Sequence, residues 1–230
     1  MGQREFFSVY LDGFKNQSMN HPVVAITGAS GSLYAVRFLR VLIEKELEPY
    51  VVVSPAGRQV LGVELGSGVL KDHLGTSGYR EEDVRDLASP LASGSFPTSG
   101  MVIIPCSTGT MGSVAHGISS NLIHRAAEVN LKERRPLIVV PRETPLSQIT
   151  LQNMLTLSQA GVHVVPANPG FYHAPKTIDD LVDFVVARVL DLMKIPHALS
   201  KRWTGLPSFD APVILSSSKD DRFAQDDRNE

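Results

Sequence analysis

The sequence predicts an α/β protein whose mostly parallel sheet is covered on both faces by helices. Three observations predict it. Short β-branched runs recur along the chain, amphipathic stretches of helical period separate them, and loops rich in Gly, Ser, Thr and Pro follow the runs. Continuous apolar strands linked by helices imply βαβ units in which the sheet is buried on both sides.

Residues 1–21 read as an extension before the domain, which is expected over 22–206. Pro22–Thr27 (PVVAIT) is the first strand, leading into Gly28. Ser32–Lys45 has helical period, with Leu33, Val36, Leu39 and Ile43 on one side. Tyr50–Ser54 (YVVVS) is the second strand, followed by a helix over about Ala56–Leu65. Residues 66–99 are Gly- and Ser-rich; a short helix is expected near 70 and another after Arg80. Met101–Pro105 (MVIIP) reads as a strand, a loop and helix run on to Gly117, and Ser120–Arg134 reads as a second helix. Leu137–Val140 and Val162–Val165 are further strands around a helix at about 148–160, and a last helix covers about 178–194. From about Pro207 the chain is polar, charged and aperiodic, so 207–230 is expected to be disordered.

The 230 residues suffice for one substantial core. Hydrophobic residues make up 43% and charged ones 20%, the balance of an ordinary globular protein. A formal net charge of -2 gives no global reason to expect nucleic acid or an anionic membrane, so any anion site must be local. The one cysteine, Cys106, excludes an intrachain disulfide. The N-terminal residues lack a signal-peptide pattern, and no apolar run approaches the ~20 residues of a membrane span, so a cytoplasmic protein is expected.

In a parallel sheet, ligands sit beyond the carboxyl ends of the strands. The first loop there, Thr27-Gly28-Ala29-Ser30-Gly31-Ser32, follows a strand and opens a helix. It is either a plain strand–helix turn or an anion site made of free helix-start N–H groups. It does not match GxGxxG, and the next strand ends in Ser54 rather than the acid of a dinucleotide site, which favours a mononucleotide. Cys106-Ser107-Thr108-Gly109-Thr110 is a second small-residue turn at the same edge, and two such loops suit a phosphorylated planar ligand. Cys106 reads as a small buried thiol, since no base is identifiable beside it.

Arg125 and Lys132 are seven apart and share a helix face; solvated surface is the default reading of such charges. Arg188 borders the apolar stripe of the last helix and calls for an anion, a structural carboxylate or a ligand phosphate, with phosphate favoured. Glu143, after Arg142 at a strand end, and Glu64, in the apolar stretch LGVELG, are proton-transfer candidates or salt-bridge partners. Tyr172 in NPGFYHAP either lines a cation-stabilising site or packs. No HExxH, CxxC or His–carboxylate cluster occurs at ligand spacing, so no catalytic metal is predicted.

Taken together, ITGASGS (26–32), ASGSF (92–96), PCSTGTMGSVAHGISSNLIHRAAEV (105–129), LKERRPLIVVPRETPLS (131–147), NML (153–155) and PANPGFYHAPKTIDDLVDFVVARVLDLMKIP (166–196) resemble the UbiX/Pad family of flavin prenyltransferases. The resemblance runs from about residue 22 to Trp203. It implies a Rossmann-like, flavodoxin-related three-layer fold and a homododecamer with active sites at subunit interfaces. The implied reaction joins a dimethylallyl group from dimethylallyl (mono)phosphate to N5 and C6 of reduced FMN, without metal, giving prenylated FMN for a UbiD-type decarboxylase. By matching position, it implies FMN contacts at Gly28, Ala29, Ser30, Ser54, Ser107, Thr108, Gly109, Thr110 and Arg142. It implies dimethylallyl phosphate contacts at Arg125, Lys132, Glu143, Tyr172 and Arg188, and further active-site positions at Glu64 and Trp203. Arg125, Lys132 and Arg188 would stabilise the departing phosphate, Tyr172 and Trp203 the allylic cation, and Ser30 and Glu143 would handle protons. Pro55 departs from the family pattern, where a basic or other polar residue is frequent.

Two other readings compete. Flavin-dependent decarboxylases of cysteinyl substrates share such a fold, and a non-catalytic FMN carrier would share the flavin site. The PRETPLS and GFYHAP loops, with Arg125, Lys132 and Arg188, favour phosphate chemistry over both, because neither rival needs a second phosphate site.

Overall fold

The computed structural model describes residues 21–200 together with Arg202 and Gly205. The chain divides into a unit ending at Ser200 and a second from Lys201 to Glu230; the architecture below is that of the first. Trp203 and the expectations for residues 1–20 and 207–230 lie outside the described residues.

Six strands form one all-parallel sheet in the order β3-β2-β1-β4-β5-β6. They are β1 (Val23–Ile26), β2 (Tyr50–Val53), β3 (Arg80–Glu82), β4 (Met101–Cys106), β5 (Leu137–Pro141) and β6 (His163–Val164). The order reverses direction between β1 and β4, which is the switch point where such sheets open a crevice. The helices are α1 (Ser32–Glu44), α2 (Pro55–Leu65), α3 (Lys71–Leu74), α4 (Thr108–Ala115), α5 (Leu122–Lys132), α6 (Gln148–Gln159) and α7 (Ile178–Leu192).

Alternation along the strands divides the core into two layers. Val24 and Ile26 pack with Phe38 and Leu39 of α1, Leu61 of α2 and Val186 and Leu190 of α7. Val23 and Ala25 face the other way, onto Met111 of α4, Ile123 and Ala127 of α5 and Leu157 of α6. Strands β1, β2, β4 and β5 are buried at every residue, which is why they read as unbroken apolar runs.

Two expectations are corrected. The helix expected after Arg80 is reduced to a 3-10 turn at Pro90–Ala92: residues 80–82 are β3, which pairs in parallel with β2 through Tyr50↔Arg80. Its sequence, REE, carries no strand signal, because an edge strand takes its order from the open edge beside it and charge on such an edge blocks further pairing. Arg80 also lies over the Tyr50 ring at 5.5 Å. Leu33, expected on the buried stripe of α1, is 41% exposed, because it faces the cleft described below.

The helix starts are fixed by local chemistry. Ser54, Ser107, Asn121, Ser147 and Thr177 each cap a helix by accepting a backbone N–H. Pro55 occupies the first turn of α2, where its missing N–H costs nothing. At α7 the box is reciprocal: Asp180 N donates to Thr177 Oγ1 at 3.1 Å and Thr177 N to Asp180 Oδ2 at 2.9 Å. Arg37 of α1 forms a two-pronged ion pair with Asp183 of α7, at 2.6 Å and 3.1 Å, and ties these two helices together.

Candidate functional site

At the switch point the loops after β1 and β4 are joined by one buried hydroxyl. Thr27 Oγ1 donates to the Pro105 carbonyl at 2.9 Å and accepts from Ser107 N at 2.7 Å. Gly28 lets the first loop approach α2, since a Cβ there would stand 2.6 Å from Ala56 Cβ. Gly31 takes the left-handed backbone (φ 117°) that turns the chain into α1.

The two helix starts at this edge differ. At α1, the Glu64 carboxylate from the last turn of α2 accepts from Gly31 N at 3.0 Å and from Ser32 N at 2.7 Å. The anion that the first loop invites is therefore the chain's own. Burial alone would raise the Glu64 carboxyl, but the Ser30 hydroxyl and the N–H groups of Ser32 and Gly31 outweigh it and hold the group below its usual range. At α4, Ser107 Oγ accepts from Thr110 N at 3.3 Å and donates to Thr110 Oγ1 at 3.0 Å. The N–H groups of Thr108 and Gly109 find no partner among the described residues, and the space where a Gly109 Cβ would stand is open. This start remains available to an anion.

A cleft of about 510 Å³ lies beside the first loop. Ser30, Gly31, Glu64 and Arg142 form its polar wall; Leu33, Tyr34, Ala167, Pro169, Ile178, Leu181 and Val182 form the apolar one. Arg142 reaches over from the end of β5 and donates Nε to the Ser30 carbonyl at 3.4 Å. Glu143 follows it, exposed, with its carboxylate on Thr144 N at 3.0 Å. The mostly apolar wall and few convergent polar groups suit a planar organic ligand. Ala29 is buried in the loop, and Ser54 caps α2 beside it.

The remaining candidates lie apart from this cleft within one chain. Arg125 donates Nε to the Ala92 carbonyl at 3.1 Å and Nη1 to Glu128 at 2.9 Å. It is half-buried, so the solvated reading does not hold for it. Lys132 pairs with Glu133 at 2.7 Å, at the far end of α5 just before the chain enters β5. Arg188 finds its carboxylate in Asp191, at 3.0 Å, ten residues along α7 from the cleft-lining Ile178. Ten helical residues span about 15 Å, so Arg188 and Lys132 both lie toward the amino edge of the sheet. Tyr172 stays at the carboxyl edge, 60% exposed, with its ring edge-on to Phe184 of α7 at 5.7 Å.

Cys106 is fully buried, and burial pushes its thiol up to about 12, as expected of an inert core residue. Among the described residues no cluster of His, Cys, Asp or Glu is placed to hold a metal, and no helix is long and apolar enough to cross a membrane. Thr27 and Phe184 escaped sequence reasoning: Thr27 ends an apolar strand as many threonines do, and Phe184 is one apolar residue in the apolar face of α7. Hydroxyl residues at or just after the ends of two predicted strands, Thr27 and Ser107, were the one available signal for Thr27.

The chain has close relatives. The flavoprotein family model matches residues 14–190. The flavin prenyltransferase UbiX of Alkalihalophilus pseudofirmus is 47% identical over 188 residues, covering 78% of this chain and 94% of that protein. The crystal structure of a dodecameric FMN-dependent UbiX-like decarboxylase from Escherichia coli O157:H7 superposes with a TM-score of 0.76 at 40% identity, covering 80% of this chain and all (100%) of the other. That of AnUbiX (PadA1) in complex with FMN and dimethylallyl pyrophosphate also reaches 0.76, at 36% identity, covering 81% and 98%. With cysteine decarboxylases such as the cypemycin decarboxylase CypD the likeness is in fold alone, at 17% identity and a TM-score of 0.53. A parallel sheet with its flavin-sized cleft at the β1/β4 switch point, and a sequence nearly half identical to UbiX over most of its length, place the chain in the flavoprotein family, among the UbiX flavin prenyltransferases.

Proposed function

We propose that the chain transfers a dimethylallyl group from dimethylallyl phosphate to N5 and C6 of reduced FMN, and that the prenylated flavin then serves a UbiD-type decarboxylase. The observation that carries this reading is the contrast between the two helix starts. Glu64 closes the start of α1, whereas Thr108 and Gly109 leave the start of α4 open for one phosphate monoester. A mononucleotide held there by Ser107, Thr108, Gly109 and Thr110 would extend along Gly28, Ala29, Ser30 and Ser54 toward Arg142.

In the reaction the C–O bond to phosphate would break, with phosphate leaving with the electron pair, as N5 bonds the allylic carbon and gives up its proton; the alkene would then take up a proton as its tertiary carbon bonds C6, and the C6 proton would be lost. Glu64 and Ser30 sit where the flavin edge would lie and can hold or pass a proton. Glu143 and Tyr172 are exposed at the same carboxyl edge and can meet the phosphate and the allylic group. Trp203 is assigned to the allylic group by position only. Arg125, Lys132 and Arg188 would hold the departing phosphate. Since Lys132 and Arg188 lie toward the opposite edge of their own sheet, they serve the cleft of a neighbouring copy. Assembly into a homododecamer accounts for this, as does the exposure of Ile149, Leu151 and Leu155 on α6. We place the catalytic unit at residues 22–206 and the reaction in the cytoplasm.

The test is anaerobic incubation with reduced FMN and either dimethylallyl phosphate or its diphosphate, followed by mass analysis of the released flavin. A flavin heavier by one C5 unit is expected. Unmodified FMN with both donors, released from folded protein, would instead favour the carrier or the cysteinyl decarboxylase.

A further inference from the structure

The turn after β6 holds two unusual features directly after Tyr172. Both ring nitrogens of His173 are buried without a hydrogen-bond partner. Ala174 adopts a left-handed backbone (φ 53°), a conformation that strains a residue with a Cβ. Buried polar groups are rarely left unpartnered, and local strain of this kind gathers at functional turns. Tyr172 itself is exposed, so the turn presents one ring outward and folds the next inward.

The inward ring has a definite place. His173 lies parallel to Phe184 of α7, with centroids 5.2 Å apart and planes 10° apart. Tyr172 stands edge-on to both, at 5.8 Å and 78° to His173 and at 5.7 Å and 77° to Phe184. Gly170 completes the fit, since a Cβ there would stand 2.9 Å from Phe184 Cζ and 3.2 Å from Tyr172 Cε1. Parallel and edge-on rings at these separations attract one another and resist tilting. A ligand cannot reach the His173 nitrogens without moving the turn, so the imidazole acts through its ring face.

We propose that His173 is a positioning residue for prenyl transfer: its imidazole, stacked on Phe184, fixes the orientation in which Tyr172 meets the dimethylallyl group. The inference rests on the prenyl-transfer reading. Tyr172 acts on the allylic cation only if its ring face is held toward it, and a tilt weakens that attraction steeply. The stack supplies that restraint through ring faces and edges.

The test compares His173→Leu, His173→Ala and His173→Phe in the full chain. Steady-state prenylation, FMN affinity and thermal melting are followed for each. Wild-type protein is the control: failure of wild type to prenylate FMN sinks the functional reading, and the His173 comparison is read only against active wild type. His173→Leu fills the volume without a ring, and should lower kcat on the order of tenfold or more while leaving FMN affinity and melting near wild type. His173→Phe restores a stackable ring and should return kcat to within about twofold of wild type. Adding His173→Leu to Tyr172→Ala should cost nothing further, because the two act through one ring. A His173→Phe variant as impaired as His173→Ala would show that a ring nitrogen is required and would overturn the proposal. So would an undiminished kcat in His173→Leu, or full additivity with Tyr172→Ala.

Discussion

Glu64 Oε2 accepts the backbone N–H of Ser32 at 2.7 Å, so a carboxylate from the end of one helix closes the start of another. This contact joins α2 to α1 across the first loop and sets a fixed negative charge on the polar wall of the cleft. Glu64→Gln keeps an acceptor and removes the charge. It should destabilise the protein at neutral pH by about 0.5–2 kcal/mol, the range of helix capping. The folded-state carboxyl is depressed below the ordinary glutamate value of 4.5. Its contribution is therefore present above that value and is lost as pH falls through the lower folded value. Urea unfolding of both proteins at pH 7 and at successively lower pH should show the gap closing only below about 4.5. A gap unchanged under acid would remove the charge from the explanation.

Thr27 should matter as much for the flavin as for the fold. Thr27→Val is nearly isosteric but strips the donor to Pro105 O and the acceptor of Ser107 N. The Pro105 carbonyl keeps the Thr27 backbone N–H at 3.2 Å, whereas the part-buried Ser107 N–H is left unpaired, at a cost of about 1–3 kcal/mol. Because Ser107 caps α4, the open N–H groups behind it lose their placement. Fluorescence titration should show weaker FMN binding in a variant that still folds; unchanged affinity would separate the two loops functionally.

Gly28→Ala tests the approach of the first loop to α2. The added methyl would stand 2.6 Å from Ala56 Cβ, so one of the two must shift. The expected cost is about 1–3 kcal/mol. Gly28→Ala combined with Ala56→Gly removes the clash and should recover most of it, as measured by thermal melting. Absence of recovery would place the cost in backbone conformation.

The Arg37–Asp183 pair ties together the helices that form the apolar wall of the cleft. Its side chains are 32% and 21% exposed, so it stands between a surface pair and a buried one. A double-mutant cycle with Arg37→Ala and Asp183→Ala should give a coupling of about 0.5–1.5 kcal/mol. Arg37→Lys should lose much of that coupling, because the two-pronged geometry belongs to the guanidinium. A coupling indistinguishable from zero would reduce the pair to packing.

Cys106 offers an inexpensive check on the packing of the switch point. With the thiol buried and raised to about 12, iodoacetamide at pH 8 should leave the native protein unmodified and label it once in denaturant. Rapid labelling of native protein would mean that the β4 end opens.

Much of this protein was legible in its sequence because the physics involved is local. Apolar runs that must be buried on both faces gave β1, β2, β4 and β5, and helical periodicity gave α1 and α7. Strand β3 was not legible, because its three residues are ordered by the free edge of β2 and carry no apolar signal of their own.

The same division runs through the site. By itself the sequence determined the small-residue loops, their place after the strands, the set of cations and the family resemblance, since all of these reside in residue type and spacing. Only the tertiary structure decided which helix start is closed by the chain's own carboxylate, because Glu64 lies 32 positions from Ser32 in the sequence. It also decided that Lys132 and Arg188 lie away from their own chain's cleft, and that His173, Phe184 and Tyr172 form one ring cluster. These are relations of distance and direction between separate elements, and the packing of α1, α5 and α7 on the sheet sets them.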